Sequence, residues 1–177
     1  MDDLSLHILD LAENSVTAGA TRVEILLEEN EAEDVLRLEI RDNGRGMPAS
    51  MVRRVLDPFV TSRTTRRVGL GLPMLAEAAR MTGGKLEIDS EEGRGTIVRV
   101  TFGLSHIDRQ PVGNVGMTIV TLVAGNPEVD FHVEHTRGGK TFRLDTEEMR
   151  SHLGEVSINH PTVLEFLRRV LENPFEE

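Results

Sequence analysis

The sequence contains no cysteine among its 177 residues. Disulfides, a thiolate nucleophile and zinc bound through sulfur are therefore excluded. It also lacks an apolar run near the roughly 20 residues that a membrane-spanning helix needs, since stretches such as Met117–Ala124 are much shorter. The first residues show no basic segment followed by an apolar one, as a signal peptide would. We therefore expect a soluble, cytoplasmic protein with no membrane partner.

Positive charge is scarce overall, and most of the chain is acidic. Lysine and arginine number 20 against 30 acidic residues, so the formal charge is 20 − 30 = −10. Such a field repels DNA and RNA, and nucleic-acid binding is not expected. Residues 45–67 are the exception, because they carry six arginines against the single acid Asp57. This window suits a small polyanion, although a solvated basic helix face would have the same pattern.

The spacing of apolar residues predicts an α+β fold for the first part of the chain. Antiparallel hairpins with helices on one face would form a two-layer α/β sandwich. The predicted helices are 4–18, 51–56 and 72–81, and the predicted strands are 22–28, 35–42, 85–90 and 96–102.

The remaining residues predict a small C-terminal unit after a linker. We predict a first domain over 1–104, a linker over 105–116 that contains Pro111, and a subdomain over 117–177. The subdomain is predicted as a β-meander followed by two helices, and it would pack on the first domain or on a partner. Its predicted strands are Met117–Ala124, Val129–Thr136 and Lys140–Leu144, and its predicted helices are Thr146–Leu153 and Pro161–Glu172.

Asp10 and Asn14 are candidate ligand-binding residues on the first predicted helix. They stand four residues apart, so they share one helix face. A carboxylate and an amide oxygen side by side can hold Mg²⁺ and its waters. Polar pairs at this spacing are also common on helix surfaces, and the pair alone does not decide between the two interpretations.

Two glycine-containing segments follow in the chain. In Asp42–Pro48, Gly44 and Gly46 would let the backbone approach a flat ligand, and Asp42 could accept a hydrogen bond from an exocyclic amine. A simple tight turn would explain the same residues. In Gly69–Leu72 a glycine loop opens a helix, whose N–H groups and positive end favour phosphate. The spacing is that of neither a Walker loop nor a dinucleotide fingerprint.

These motifs, in this order, resemble the GHKL superfamily of ATPases, which includes gyrase, histidine kinases and the mismatch-repair protein MutL. The resemblance covers residues 4–102 and implies the nucleotide-binding architecture called the Bergerat fold. The matching segments are Leu9–Ser15 with Ala18–Thr21 (the N box), Asp42–Met47 (the first glycine box), Leu56–Arg63 (the F box of histidine kinases), Gly69–Leu72 (the second glycine box) and Glu91–Thr96 (the closing turn).

The resemblance implies that ATP or ADP binds here with Mg²⁺. Asn14 would be the metal ligand, Asp42 would bind the adenine amino group, and Arg63 would contact the γ-phosphate. Residues 47–68 would form the lid over the nucleotide. The other nucleotide-binding residues would be Gly44, Gly46 and Met47 beside the base, Gly69, Leu70, Gly71 and Leu72 at the phosphates, and Thr96 near adenine or its water.

Two departures from the superfamily pattern shape the expected activity. Where hydrolysing members usually have glutamate as the base, this sequence has the shorter Asp10, so we expect slow hydrolysis with Asp10 as base. Glu13 is expected to point away. None of the six histidines lies in the sequence context of a phospho-accepting histidine, which makes autophosphorylation in cis unexpected. His7 is expected at the surface or boundary of its helix.

The sequence leaves three functions open. The first is an ATP-binding protein with slow ATPase activity that acts as a nucleotide-dependent switch on a protein partner. The second is a kinase that acts in trans on a histidine or serine of another protein, and the third is a nucleotide-binding module without turnover. The C-terminal unit could bind the partner or form a homodimer.

Overall fold

The computed structural model describes residues 3–57 and 71–176, which form six helices and six strands. The helices are α1 (Leu4–Thr17), α2 (Ala49–Val55), α3 (Gly71–Met81), α4 (Val115–Gly125), α5 (Thr146–Leu153) and α6 (Pro161–Glu172). The strands are β1 (Arg22–Asn30), β2 (Val35–Asp42), β3 (Leu86–Glu91), β4 (Gly95–Gly103), β5 (Asp130–Arg137) and β6 (Lys140–Asp145). No helix in these ranges has the length and apolar character needed to cross a membrane.

The strands described above form one sheet in the order β3-β4-β2-β1-β5-β6. All neighbours are antiparallel except β1 and β5, which are parallel. Alternate residues of β1, β2 and β5 are buried, as the period of two predicts. The buried face packs against the helices, and the opposite face carries charged side chains. This arrangement confirms the predicted two-layer α+β sandwich.

Helix α1 forms where its apolar residues recur every three or four positions. Leu4, Ile8 and Leu11 are buried on one side, and they pack into the core against the sheet. The Asp3 side chain caps the N-terminus by accepting a hydrogen bond from the Leu6 amide at 3.1 Å. The helix ends just before Gly19, whose φ of +81° is the left-handed conformation expected after a helix C-terminus.

The predicted strand Met117–Ala124 is wrong, because these residues belong to helix α4. A short apolar run does not distinguish a buried strand from a buried helix by its periodicity. Two features favour the helix. The Asn114 side chain accepts a hydrogen bond from the Met117 amide at 2.9 Å and so caps the helix. Most of the buried positions also follow a helical spacing, namely Val115, Thr118, Ile119, Leu122 and Val123, and Val120 is buried beside them.

The C-terminal residues extend the sheet of the first part of the chain. β5 pairs in parallel with β1 from Arg22–Asp130 to Glu29–Arg137, and β6 then pairs with β5. α4 packs between α1 and α6 in the helical layer. The segment predicted as a linker contains no helix or strand until α4 begins, and it lies along the start of α1. There the carbonyls of Pro111 and Val112 accept hydrogen bonds from the first α1 amides.

Candidate functional site

Asp42 stands at the end of β2 with its carboxylate held from two sides. The Ser15 hydroxyl donates to Asp42 Oδ2 at 2.6 Å, and the Gly44 amide donates to Oδ1 at 2.9 Å. Ser15 is buried and comes directly after Asn14 on α1. Each carboxylate oxygen keeps a further lone pair. The half-buried Asp42 is therefore an oriented acceptor, and a ligand with an amino group would match it.

The glycines of the loop after β2 allow close backbone packing. Gly44 is buried, and a Cβ there would lie 2.9 Å from the Ala18 carbonyl oxygen. Gly46 has φ +66°, and a Cβ there would overlap the Glu91 carbonyl. At the far side of the loop, the Gly93 amide donates to the Arg45 carbonyl at 2.7 Å. The loop thus lies tightly between the end of α1 and the β3–β4 turn.

Asp10 and Asn14 share one face of α1, half-buried, at the edge where α3 begins. A Cβ added to Gly71 would overlap the Asp10 carboxylate, so the first residue of α3 lies directly against Asp10. Helix N-termini attract anions such as phosphate. The structure therefore places the predicted base beside the helix end predicted to hold phosphates. Leu72, the next residue, is buried in the core.

Burial raises the pKa of the Asp10 carboxyl above its ordinary value of 3.8, and the negative charge of Glu13 raises it further. Glu13 itself is exposed, as expected from its position on the helix. A carboxylate with a raised pKa is a stronger proton acceptor and suits a general base better than an ordinary exposed one.

Thr96 lies opposite Asp42 in the register between β2 and β4. Its hydroxyl is 2.8 Å from the hydroxyl of Ser90 on β3. Ser90 Oγ also accepts a hydrogen bond from the Met47 amide at 2.9 Å. Thr96 and Met47, two residues predicted to bind the nucleotide, are therefore linked through a side chain that the sequence analysis did not single out.

Three of the predicted site residues, Arg63, Gly69 and Leu70, lie outside the residues that the structure describes. The second half of the predicted lid, residues 58–68, lies outside them as well. The sequence analysis missed Ser15 and Ser90, which contact predicted residues through their hydroxyls. A serine next to the N-box asparagine and a serine before the glycine turn carry no chemistry of their own, so only the folded contacts reveal them.

His7 corrects another expectation, because it is interior rather than at the helix surface. Only 2% of His7 is exposed, and its Nε2 lies 3.2 Å from Gln110 Oε1. Burial lowers the pKa of His7 below its ordinary value of 6.5. The residue packs under the 105–114 segment, a contact that the helical pattern of α1 alone could not predict.

Comparison with known proteins connects this geometry to one family. Residues 2–106 match the family described as histidine kinase-, DNA gyrase B-, and HSP90-like ATPase. A putative sensor protein of Shewanella frigidimarina is 32% identical over 111 residues, which cover 60% of this chain and 17% of that protein. The sensor kinase CckA of Brucella abortus is 35% identical over 68 residues, 38% of this chain and 7% of the kinase. The chain thus spans less than a fifth of either relative.

Solved structures extend the likeness beyond residue 106. The Aquifex aeolicus MutL ATPase domain, complexed with ADP, superposes with a TM-score of 0.54 and 18% identity, covering 96% of this chain and 88% of that one. The N-terminal domain of a DNA repair protein gives a TM-score of 0.57 at 18% identity, covering 82% and 53%. At this identity the likeness concerns the fold, and the fold includes most of the C-terminal residues.

Proposed function

The chain belongs to the family of histidine kinase-, DNA gyrase B- and HSP90-like ATPases, and on that premise we propose that it binds Mg-ATP and hydrolyses it slowly. The placement of α1 is the observation that carries this proposal. Ser15 contacts Asp42 at one point of the helix, and Asp10 lies against Gly71 about 7.5 Å away along the axis. One helix would thus run beside the nucleotide from base to phosphates.

The residues on this path fit the chemistry of Mg-ATP. Asp42 would accept a hydrogen bond from the adenine amino group. The amide oxygen of Asn14 is a ligand of the type that Mg²⁺ prefers, and it would hold the ion at the phosphates. When bound, Mg²⁺ would neutralise phosphate charge. Asp10 would take the proton of the attacking water. Because its side chain is one methylene shorter than that of glutamate, we expect turnover to be slow.

Calorimetry with Mg-ATP and Mg-ADP tests the binding site. We expect Asp42→Asn to weaken ATP binding about tenfold or more, because an amide offers one acceptor fewer and places a donor against the adenine amine. Asp89→Asn is the matched control: this acid is exposed on β3, and its loss should leave affinity unchanged. No heat from either nucleotide at millimolar concentration with the wild type would overturn the proposed function.

The fate of the γ-phosphate decides between turnover and transfer. The sensor kinase CckA among the relatives favours one alternative, a kinase that acts in trans on a histidine or serine of another protein. Incubation with γ-labelled ATP separates the cases. Released phosphate supports the ATPase, label on an added protein supports the kinase, and binding with neither indicates a module without turnover.

The proposed switch acts on a protein partner, and the chain could also pair with itself. Differential affinity of ATP for two conformations would shift their populations, and the partner would bind one of them. A pull-down from the native lysate with ATP, with ADP and without nucleotide tests this. A partner retained equally in all three conditions contradicts the switch. Sedimentation with and without ATP measures the homodimer.

A further inference from the structure

Ser90 joins three backbone segments through one hydroxyl group. Its Oγ accepts a hydrogen bond from the Met47 amide at 2.9 Å and lies 3.1 Å from the Gly95 carbonyl oxygen, to which it donates. The same oxygen lies 2.8 Å from Thr96 Oγ1. Ser90 therefore connects its own strand β3 to the loop after β2 and to the first two residues of β4.

The number of protons settles the direction of the contact between the two hydroxyls. A hydroxyl has one proton to donate and two lone pairs. Ser90 gives its proton to Gly95, and one of its lone pairs receives the Met47 amide. The contact with Thr96 then requires Thr96 to be the donor. With its own proton committed to Ser90, the Thr96 oxygen offers only lone pairs to any other group.

The surrounding backbone holds this arrangement in place. Gly46 packs against the Glu91 carbonyl with no room for a Cβ, and Gly95 packs equally closely against the Asp42 carbonyl. The hydrogen bond from the Gly93 amide to the Arg45 carbonyl closes the other side. The hydroxyls of Ser90 and Thr96 thus sit between segments that have little freedom to separate.

We propose that Ser90 is a positioning residue that determines base selectivity through Thr96, an inference that rests on the proposed nucleotide site. Asp42 is a hydrogen-bond acceptor. Thr96 lies opposite Asp42 in the β2–β4 register, and the contact with Ser90 makes Thr96 an acceptor as well. This end of the site therefore matches a base that carries an amino group, such as adenine, whose N6 has two protons. A 6-oxo purine presents an acceptor at the same place, and two acceptors would face each other.

Calorimetry on the full chain tests the role of Ser90 in base selectivity. It measures the affinity for Mg-ATP and the affinity for Mg-ITP, the 6-oxo counterpart of ATP. In Ser90→Ala, Thr96 is free to rotate and can donate to the 6-oxo group of ITP, so we expect the ratio of ATP affinity to ITP affinity to fall about tenfold. Ser90→Thr keeps the hydroxyl and should restore the wild-type ratio. Ser157→Ala, which removes a hydroxyl bound only to Asn159 among the contacts of the described residues, serves as the control.

Equal losses for both nucleotides, or an unchanged ratio, would show that Ser90 only supports the loop and would overturn the proposal. Thr96→Val covers the case in which the alanine variant does not fold, because it leaves the bonds of Ser90 to Met47 and Gly95 in place. It should also lower the ATP-to-ITP ratio, because the acceptor that binds adenine and repels the 6-oxo group is removed, and a ratio like the wild type would again overturn the proposal. Absence of ATP binding by the wild type would instead remove the proposed function itself.

Discussion

At the scale of single residues, Asp10 has a raised pKa at the position that we propose for the catalytic base. A raised pKa means that the folded state favours the protonated form, so ionisation costs stability as the pH rises through that pKa. We predict that Asp10→Asn lowers turnover by a hundredfold or more and raises the melting temperature at pH 7 by about 1–3 °C.

The matched control for Asp10→Asn is Glu13→Gln, which removes an exposed carboxylate from the same helix. Phosphate release by this variant should equal that of the wild type. Melting at pH 3 provides a second check. Asp10 is then mostly protonated in both the folded and the unfolded state, so the gain in stability of Asp10→Asn over the wild type should vanish. Wild-type turnover in Asp10→Asn would remove the residue from the role of base.

For His7 we predict the opposite pH dependence of stability, because its lowered pKa means that the folded state favours the neutral form. Stability is then retained above the unfolded-state pKa of about 6.5 and lost as the pH falls below it, because the unfolded chain binds the proton more readily. Urea unfolding from pH 7 to 5 should show this loss in the wild type. His7→Gln, which cannot titrate, should give a flatter profile over the same range, and parallel profiles would contradict the prediction.

At the scale of elements, helix α4 depends on its cap at Asn114. We predict that Asn114→Ala lowers the free energy of unfolding by about 1 kcal/mol, because the Met117 amide loses its acceptor. The control is Thr121→Ala, at an exposed position of the same helix, which should not lower the free energy of unfolding because alanine favours the helix. Urea denaturation measures both variants, and equal losses would contradict a role for the cap.

Alanine substitutions at two glycines near the β3–β4 turn distinguish the cost of a strained backbone conformation from the cost of a steric clash. Both have positive φ, +84° at Gly93 and +66° at Gly46, but only Gly46 would carry its Cβ into another backbone group. Gly93→Ala should cost about 1–2 kcal/mol of stability from the left-handed conformation alone. Gly46→Ala should cost more and should also weaken ATP binding. Similar losses in stability and no change in affinity would contradict the close packing.

The success of sequence-based prediction varied with the kind of signal each element carries. α1 and the strands β1 and β2 have clear periods and flanking turn residues, and the structure places them within a few residues of the prediction. Helix α4 is apolar on nearly every side because it is packed on two neighbours, which removes the period. For the candidate site, the motifs predict Asp42 and Gly46, and this stays a prediction, whereas Ser15 and Ser90 are found only through contacts between segments distant in sequence.

At the scale of the whole molecule, the parallel pairing of β1 and β5 ties the C-terminal residues to the rest. A chain ending at residue 104 would leave one edge of β1 unpaired and expose the side of α1 that contacts α4. We predict that this fragment does not unfold cooperatively and that it aggregates, in contrast to the full chain. Circular dichroism on heating and light scattering test this. A fragment that melts like the full chain would instead support an autonomous first domain.

The same strand order has a consequence for synthesis on the ribosome. β1 can pair with β2 as soon as the hairpin emerges, but its other neighbour is complete only at residue 137. At typical translation speeds the nascent polypeptide therefore presents an open β-edge for roughly 5–20 s. Until β5 is made, that edge can pair with another chain, so slower translation between the two strands should lower the yield of soluble product.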